Sequence, residues 1–287
     1  MEVLSIRFPN LGIELRDVGS SVSIFGVSIA YYGMIMAVAM LLGYFVVSWQ
    51  ARRTNQNVEL YLDFALIAIV VSVIGARIYY VIFNWSLYEN NLLSIFDIRN
   101  GGIAIYGGVI TGAIAAFIFT KTKQLDFWLF CDTAIFGLLT GQVFGRWGNF
   151  FNREAFGEYT DGIFAMQLLK DEVNQEAITQ TMLNHVEWIE GRQYIQVHPT
   201  FLYESLWNLG LLLVLLIYAK HKKVEGEILA FYLIGYGVCR LWIEQIRTDQ
   251  LLLWGTTIPV SALISGIAIV IGSALVICRR RGIKLKK

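Results

Sequence analysis

The sequence predicts an all-α integral membrane protein: seven transmembrane helices with a small extracytoplasmic cap between spans four and five, in one membrane domain over residues 1–287. Three observations lead there. Hydrophobic residues make up 56% of the 287 and charged ones only 16%, too apolar a balance for a soluble chain of this length. Apolar runs long enough to cross about 30 Å of hydrocarbon recur along the chain. Lysine and arginine collect in alternate loops between those runs. The formal net charge of +1 gives no argument for nucleic acid, and none is expected as a partner.

The spans are predicted at 22–49, 61–83, 103–120, 127–147, 201–219, 228–246 and 257–277. Glu2, Arg7, Glu14, Arg16 and Asp17 precede the first run, which is too long for a secretory h-region, so no cleaved signal peptide is expected. Basic residues orient the bundle. Arg52 and Arg53 follow span one, Lys121 and Lys123 span three, and Lys220, Lys222 and Lys223 span five. The tail adds Arg279, Arg280, Arg281, Lys284, Lys286 and Lys287. These are more than half of the chain's 23 basic residues, and they place the carboxyl terminus in the cytoplasm and the amino terminus outside.

Residues 152–198 form a longer polar segment between spans four and five, with Asp161, Lys170, Asp171, Glu172, Glu176, Glu187, Glu190 and Arg192. It predicts the cap, with at least one helix near 172–190. Residues 84–102 form a second external element, and Trp85, Tyr88, Trp188 and Trp254 are interface anchors. Gly137, Gly141 and Gly145 on span four, and Gly108 and Gly112 on span three, recur at the four-residue spacing that lets membrane helices approach closely. Cys131, Cys239 and Cys278 all fall in apolar runs, which suggests neither disulfides nor a thiolate metal cluster. No zinc, dinucleotide or phosphate-loop pattern appears, so no metal and no cofactor is expected.

Charge inside apolar runs costs several kcal/mol or more and marks function. Span direction assigns each such group a depth. Spans two, four and six run outward, which puts Arg77, then Gln142, Arg146 and Asn149, then Arg240, Glu244, Arg247 and Asp249 near the outer face. Span five runs inward from there, so His198, Tyr203 and Glu204 stand at the same level, as do Tyr32 and Tyr106 at the outer starts of spans one and three. The sequence shows no comparable layer at the inner face. A transporter would need access from both sides, whereas a neutral or positive layer at one face suits a phosphate-bearing lipid headgroup held by guanidinium forks.

The stretch Gly145-Arg146-Trp147-Gly148-Asn149-Phe150-Phe151-Asn152-Arg153-Glu154-Ala155-Phe156-Gly157 resembles the signature of prolipoprotein diacylglyceryl transferases. Further blocks stand in that family's order: Tyr31-Tyr32-Gly33, Gly75-Ala76-Arg77, Gly101 through Gly108, His198 through Glu204, and Tyr236 through Arg240 followed by Glu244, Arg247 and Asp249. The resemblance implies transfer of a diacylglyceryl group from phosphatidylglycerol to the lipobox cysteine of a preprolipoprotein signal peptide. A thioether forms, glycerol phosphate leaves, and the product passes to signal peptidase II in the bacterial cytoplasmic membrane.

Carried over by motif, Arg146 and Arg247 are the candidates for the phosphate. Asn149, Asn152 and Glu154 occupy polar positions of the signature, and Tyr32 is a headgroup tyrosine. Arg77, Glu204, Arg240 and Glu244 complete the expected lipid-binding set, the glutamates first as orienters of arginine, with Glu154 and Glu204 the alternatives for a base. Many family members have histidine where this chain has Tyr106. A histidine titrates near 6.5 and could act as a general base, whereas a tyrosine near 10 is a poor one. Tyr106 is therefore expected either to donate a hydrogen bond to the lipid, the favoured reading, or to act as a base with its pKa strongly lowered by nearby arginines. No cysteine of the enzyme is needed as a nucleophile.

Overall fold

Long apolar segments in a bilayer must satisfy every backbone N–H and C=O internally, so they fold as helices. The computed structural model describes residues 3–98, 101–253 and 255–282; Glu2, Trp254, Lys284, Lys286 and Lys287 lie outside these. Eight helices are present among the described residues: α1 Tyr31–Arg53, α2 Val58–Phe83, α3 Ile105–Thr122, α4 Phe127–Asn152, α5 Gln180–Asn184, α6 Thr200–Tyr218, α7 Glu227–Ile246 and α8 Val260–Arg280. Six of them, α1, α2, α3, α4, α6 and α8, are long and apolar enough to cross a membrane. The seventh expected span, 228–246, is the 20-residue helix α7. Arg240 and Glu244 lower its hydropathy, and it falls outside that set.

The chain divides into two compact units, Met1–Val46 with Ile135–Lys287, and Val47–Ala134. In the smaller unit, α2 and α3 pack where side chains are absent. A Cβ on Gly107 would lie 2.9 Å from Ala76 Cα, and one on Gly108 would lie 3.2 Å from Ser72 O. The far end of this unit holds Val47, Ala51, Tyr61, Phe119 and Phe130 as a core, with the Tyr61 and Phe130 rings stacked at 4.8 Å. In the larger unit, Ile135, Phe136, Leu139, Leu212, Leu215, Ile228 and Tyr232 join α4, α6 and α7. Of the four-residue glycine series on α4, Gly137 meets Gly43 of α1 so closely that a Cβ on Gly43 would lie 2.8 Å from its carbonyl. Gly145 faces Met36, while Gly141 has open space beside it.

Two segments depart from expectation. Residues 22–30 of the first apolar run form a hairpin, β3 Ser21–Ile24 with β4 Val27–Ala30, and the helix starts only at Tyr31. The sequence Ser-Val-Ser-Ile-Phe-Gly-Val-Ser-Ile alternates at period two, the strand period, and Phe25 and Gly26 both take positive φ (50° and 80°), as a two-residue hairpin turn requires. Length and hydrophobicity alone could not separate these residues from the helix they precede.

The cap segment carries a helix where one was expected, but α5 is only five residues long. Three strands of the segment instead join an antiparallel sheet with strand order β2-β1-β5-β7-β6. It is built from β1 Leu4–Phe8 and β2 Ile13–Arg16 of the amino terminus together with β5 Met166–Leu169, β6 Glu187–Ile189 and β7 Arg192–Val197. The long apolar elements are thus all helices, and strands are confined to the polar parts of the chain and the first hairpin. The sheet's inner face places Ile6, Phe8, Met166, Leu168, Ile195 and Val197 against Phe150 of α4 and Phe201 of α6. That core seats the sheet directly on the helix ends that carry the signature.

The end of the larger unit remote from the cap holds a buried carboxylate paired with an exposed arginine. Glu227, fully buried, accepts from Arg280 Nε at 2.6 Å, Tyr218 Oη at 3.0 Å and the Lys223 backbone N–H at 2.8 Å. It ties α6, α7 and α8 together through residues far apart in sequence.

Candidate active site

Three helices of the larger unit bring four charged side chains together. Glu204, one turn into α6 and only 1% exposed, receives Arg146 Nη2 of α4 at 2.6 Å and Arg240 Nη1 of α7 at 3.2 Å. Arg240 Nη2 also reaches Glu244 Oε2 at 2.9 Å, one turn along α7. Two guanidiniums against two carboxylates make the group neutral overall, which is what permits it to lie among apolar helices. Nearby, Trp147 Nε1 donates to Ser205 Oγ at 3.3 Å, and Ser205 Oγ donates to the Val143 carbonyl at 2.8 Å. These bonds fix α4 against α6 at the level of the ion pair.

Arg146 differs from Arg240 in what remains available. Its side chain is 20% exposed, and Glu204 is its one partner among the described residues, so Nε and Nη1 stay open to an incoming oxyanion. Arg240 is more deeply buried and divided between two carboxylates. The geometry therefore makes Arg146 an anchored guanidinium with unused donors, and Glu204, Arg240 and Glu244 its support.

The signature beyond Arg146 builds a polar rim. Glu154 Oε1 accepts from Asn149 Nδ2 at 2.8 Å and from Asn152 Nδ2 at 3.4 Å, with Glu154 and Asn152 exposed. Tyr32 of α1 lies flat over Gly148, where any Cβ would come within 2.6 Å of its ring. Gly148 thus admits Tyr32 to within one residue of Asn149.

Arg247 follows the end of α7 and forms a bidentate pair with Asp249, Nε to Oδ1 at 2.9 Å and Nη2 to Oδ2 at 2.8 Å. Its backbone is held by the last residue of the signature. Gly157 bridges to Arg247 in a short antiparallel contact, Glu158 N–H donates to the Ile246 carbonyl at 2.7 Å, and Gly157 N–H donates to the His198 carbonyl at 3.0 Å. A Cβ on Gly157 would lie 2.8 Å from Ile246 O and 2.9 Å from His198 Cβ. Gly157→Ala is accordingly expected to move the Arg247 backbone and to lower turnover by about 10²-fold, the scale of a 1 Å misplacement; steady-state assay of the variant checks this. The role of Gly157 is not legible in the sequence, because Ile246, whose carbonyl crowds it, lies 89 residues on. His198, beside this junction, has its Nδ1 3.2 Å from Tyr203 Oη. Burial pushes its pKa below the usual histidine value, against the opposing charge of Glu158.

Arg77 and Tyr106 belong to the smaller unit and are placed by it. Tyr106 opens α3. Arg77, 7% exposed, was expected among the lipid-binding residues, but its guanidinium is saturated by backbone. Nε donates to Ile95 O at 2.7 Å, Nη1 to Gly101 O at 3.0 Å and Gly102 O at 2.8 Å, and Nη2 to Ser94 O at 2.8 Å and Asp97 O at 2.9 Å. All five N–H groups are engaged, with none left for a phosphate. Tyr88, expected at the interface, is buried with its ring 5.2 Å from the same guanidinium, whereas Trp85 and Trp188 are exposed.

The chain also matches known proteins along most of its length. The family model described as prolipoprotein diacylglyceryl transferase matches residues 20–278. A Clostridioides difficile phosphatidylglycerol–prolipoprotein diacylglyceryl transferase is 41% identical over 231 residues, 80% of this chain and 84% of that protein. Proteins of the same name from Streptococcus suis and Listeria innocua are 42% and 39% identical, covering 88% and 91% of this chain and 89% of each relative. With the signature folded around an anchored arginine and the match running through nearly the whole length, the chain belongs to the prolipoprotein diacylglyceryl transferase family.

Proposed function

We infer that this multi-pass membrane protein carries out its family's reaction with Arg146 as the principal electrostatic catalyst. It transfers the diacylglyceryl group of phosphatidylglycerol to the lipobox cysteine of preprolipoproteins, the first step of bacterial lipoprotein maturation. The cysteine sulfur bonds to the glyceryl carbon that bears the phosphate ester, the bond from that carbon to oxygen breaks, and glycerol phosphate leaves with the electron pair. The thiol proton departs to solvent or a nearby base. Negative charge on the leaving phosphate grows along this path, so a guanidinium already oriented by a buried carboxylate stabilises the transition state more than the starting diester. The single observation that carries this reading is the grip of Glu204 on Arg146, which holds one side of the guanidinium and leaves the other open.

Around Arg146 the proposal assigns Arg247 to the same phosphate, and Tyr32, Asn149, Asn152 and Glu154 to the headgroup rim. Glu204, Arg240 and Glu244 act as orienters. Local positive potential raises the thiolate fraction of a substrate cysteine whose pKa begins near 8.5. For Tyr106 the proposal rests on its motif: the hydroxyl donates to the lipid. Tyr106→Phe is expected to lower turnover by about ten- to a hundredfold, the worth of one hydrogen bond to a charged group. Full activity of that variant in the same assay would remove the hydroxyl from the mechanism.

The proposed topology has α7 as a seventh crossing, the sheet-containing cap outside, the amino terminus extracytoplasmic and the basic carboxyl end cytoplasmic, all in the bacterial cytoplasmic membrane. Signal peptidase II is the proposed recipient of the product. Reconstitution of the purified protein with labelled phosphatidylglycerol and a lipobox peptide tests the reaction. Thioether peptide and glycerol phosphate in equal amounts are expected; lipid movement without either product would point to transport instead.

A further inference from the structure

The depth at which α3 begins is unusual, and Arg77 explains how the chain tolerates it. Ala104 N–H donates to the Ala76 carbonyl at 3.1 Å, and Gly107 packs on Gly75 and Ala76. Ala76 lies seven residues before α2 ends at Phe83, about 10 Å along the helix axis. Among the described residues, 84–98 leave α2 and pass the polar Glu89-Asn90-Asn91, and 94–97 and 101–104 lie again beside the last turns of the helix. Irregular backbone at that depth is tolerated only where its carbonyls are satisfied within the protein.

Arg77 supplies that satisfaction. The carbonyls of Ser94, Ile95 and Asp97, at the end of a 3-10 turn spanning Leu92–Phe96, and those of Gly101 and Gly102 all converge on it. Gly101 and Gly102 have φ of +91° and +75°, and a Cβ on Gly102 would collide with Arg77 Nη1, so this glycine pair is what lets the backbone close on the guanidinium. Side chains on the same turn point the other way. Leu93 and Phe96 are 80% and 81% exposed, and Ile82, Phe83 and Ile105 on the flanking helix ends are exposed as well.

We propose that residues 84–98 and 101–104 form a re-entrant element seated in the outer-leaflet lipid, its Leu93 and Phe96 face against acyl chains. Arg77 is its positioning residue: by collecting five carbonyls it sets where α3 starts, and with it Tyr106, without touching phosphate. The proposal rests on the orientation given above, and its test is separable from the test of the reaction.

A spin label at Phe96→Cys, in a chain whose three native cysteines are replaced by alanine, reports depth through collision with oxygen or with a water-soluble nickel chelate in phosphatidylglycerol-containing vesicles. Labels at Ile82→Cys and Glu89→Cys serve as lipid and water references. The Phe96 label is expected to favour oxygen as Ile82 does, and to move toward the nickel-accessible value when Arg77→Gln is added. Arg77→Gln alone is expected to lower kcat by about 10²-fold with KM for phosphatidylglycerol little changed. If that variant does not fold, Gly102→Ala, which crowds the same guanidinium, takes its place. A nickel-accessible Phe96 in the otherwise native chain would overturn the re-entrant placement. An unmoved label, or a raised KM with the label unmoved, would overturn the positioning role and return Arg77 to the phosphate. Failure of the native chain to make thioether would count against the reaction and leave the depth result standing.

Discussion

Arg146→Gln is expected to give a folded, membrane-inserted protein whose turnover falls by about 10²–10³-fold, the range seen when one preorganised donor to a developing oxyanion is removed. Folding should survive because Glu204 keeps its second partner, Arg240 Nη1 at 3.2 Å, and because the side chain replaced is the most exposed of the four. Turnover should not survive, because Gln supplies no charge and cannot present the two open guanidinium nitrogens. Steady-state kinetics with phosphatidylglycerol and a lipobox peptide, beside a thermal unfolding curve in detergent, separates the two effects. Unchanged turnover would remove Arg146 from the chemistry.

Glu204→Gln should produce the larger loss of stability. Glu204 is 1% exposed and is the one carboxylate that serves both Arg146 and Arg240. Neutralising it leaves two largely buried guanidiniums with Glu244 alone between them. Breaking a buried ion pair from one side costs about 3–5 kcal/mol, and here the loss falls on two pairs at once. The variant should unfold well below the native temperature, and whatever folds should have low turnover because Arg146 loses its orientation. A native unfolding temperature would mean that the arginines are held by something other than this carboxylate.

How far the fold and site could be read in advance depends on whether the signal was local. Helices α2, α3, α4, α6, α7 and α8 follow from runs of apolar residues, each of which carries its own evidence. The cap sheet does not, because β1 at residues 4–8 pairs with β5 at 166–169 and no periodicity in either stretch names the other. Hairpin 21–30 was hidden for a different reason: in an apolar run, period two and period 3.6 both read as hydrophobic until the Phe25–Gly26 turn is seen.

The arginines divide in the same way. Charge within apolar runs marked Arg146, Arg240, Glu204 and Glu244, which the structure brings into contact, Arg240 and Glu244 at i,i+4 spacing. Nothing in that pattern distinguished Arg146, with open donors, from Arg77, which is closed by five carbonyls. Carbonyls carry no signature in a sequence, so the position of Arg77 near the outer end of a span resembled that of a ligand-binding arginine. The pairing of buried Glu227 with Arg280 is not legible in the sequence because Glu227 opens α7 and reads as an ordinary acidic residue at a helix start.

The central claim is that Arg146 acts on charge appearing in the transition state and not merely on the bound lipid. The most direct measurement is the single-turnover rate of Arg146→Gln at saturating phosphatidylglycerol, alongside its equilibrium affinity for that lipid. Affinity close to native with the rate lost is the expected result. A native rate at saturation, with the whole defect in affinity, would contradict it.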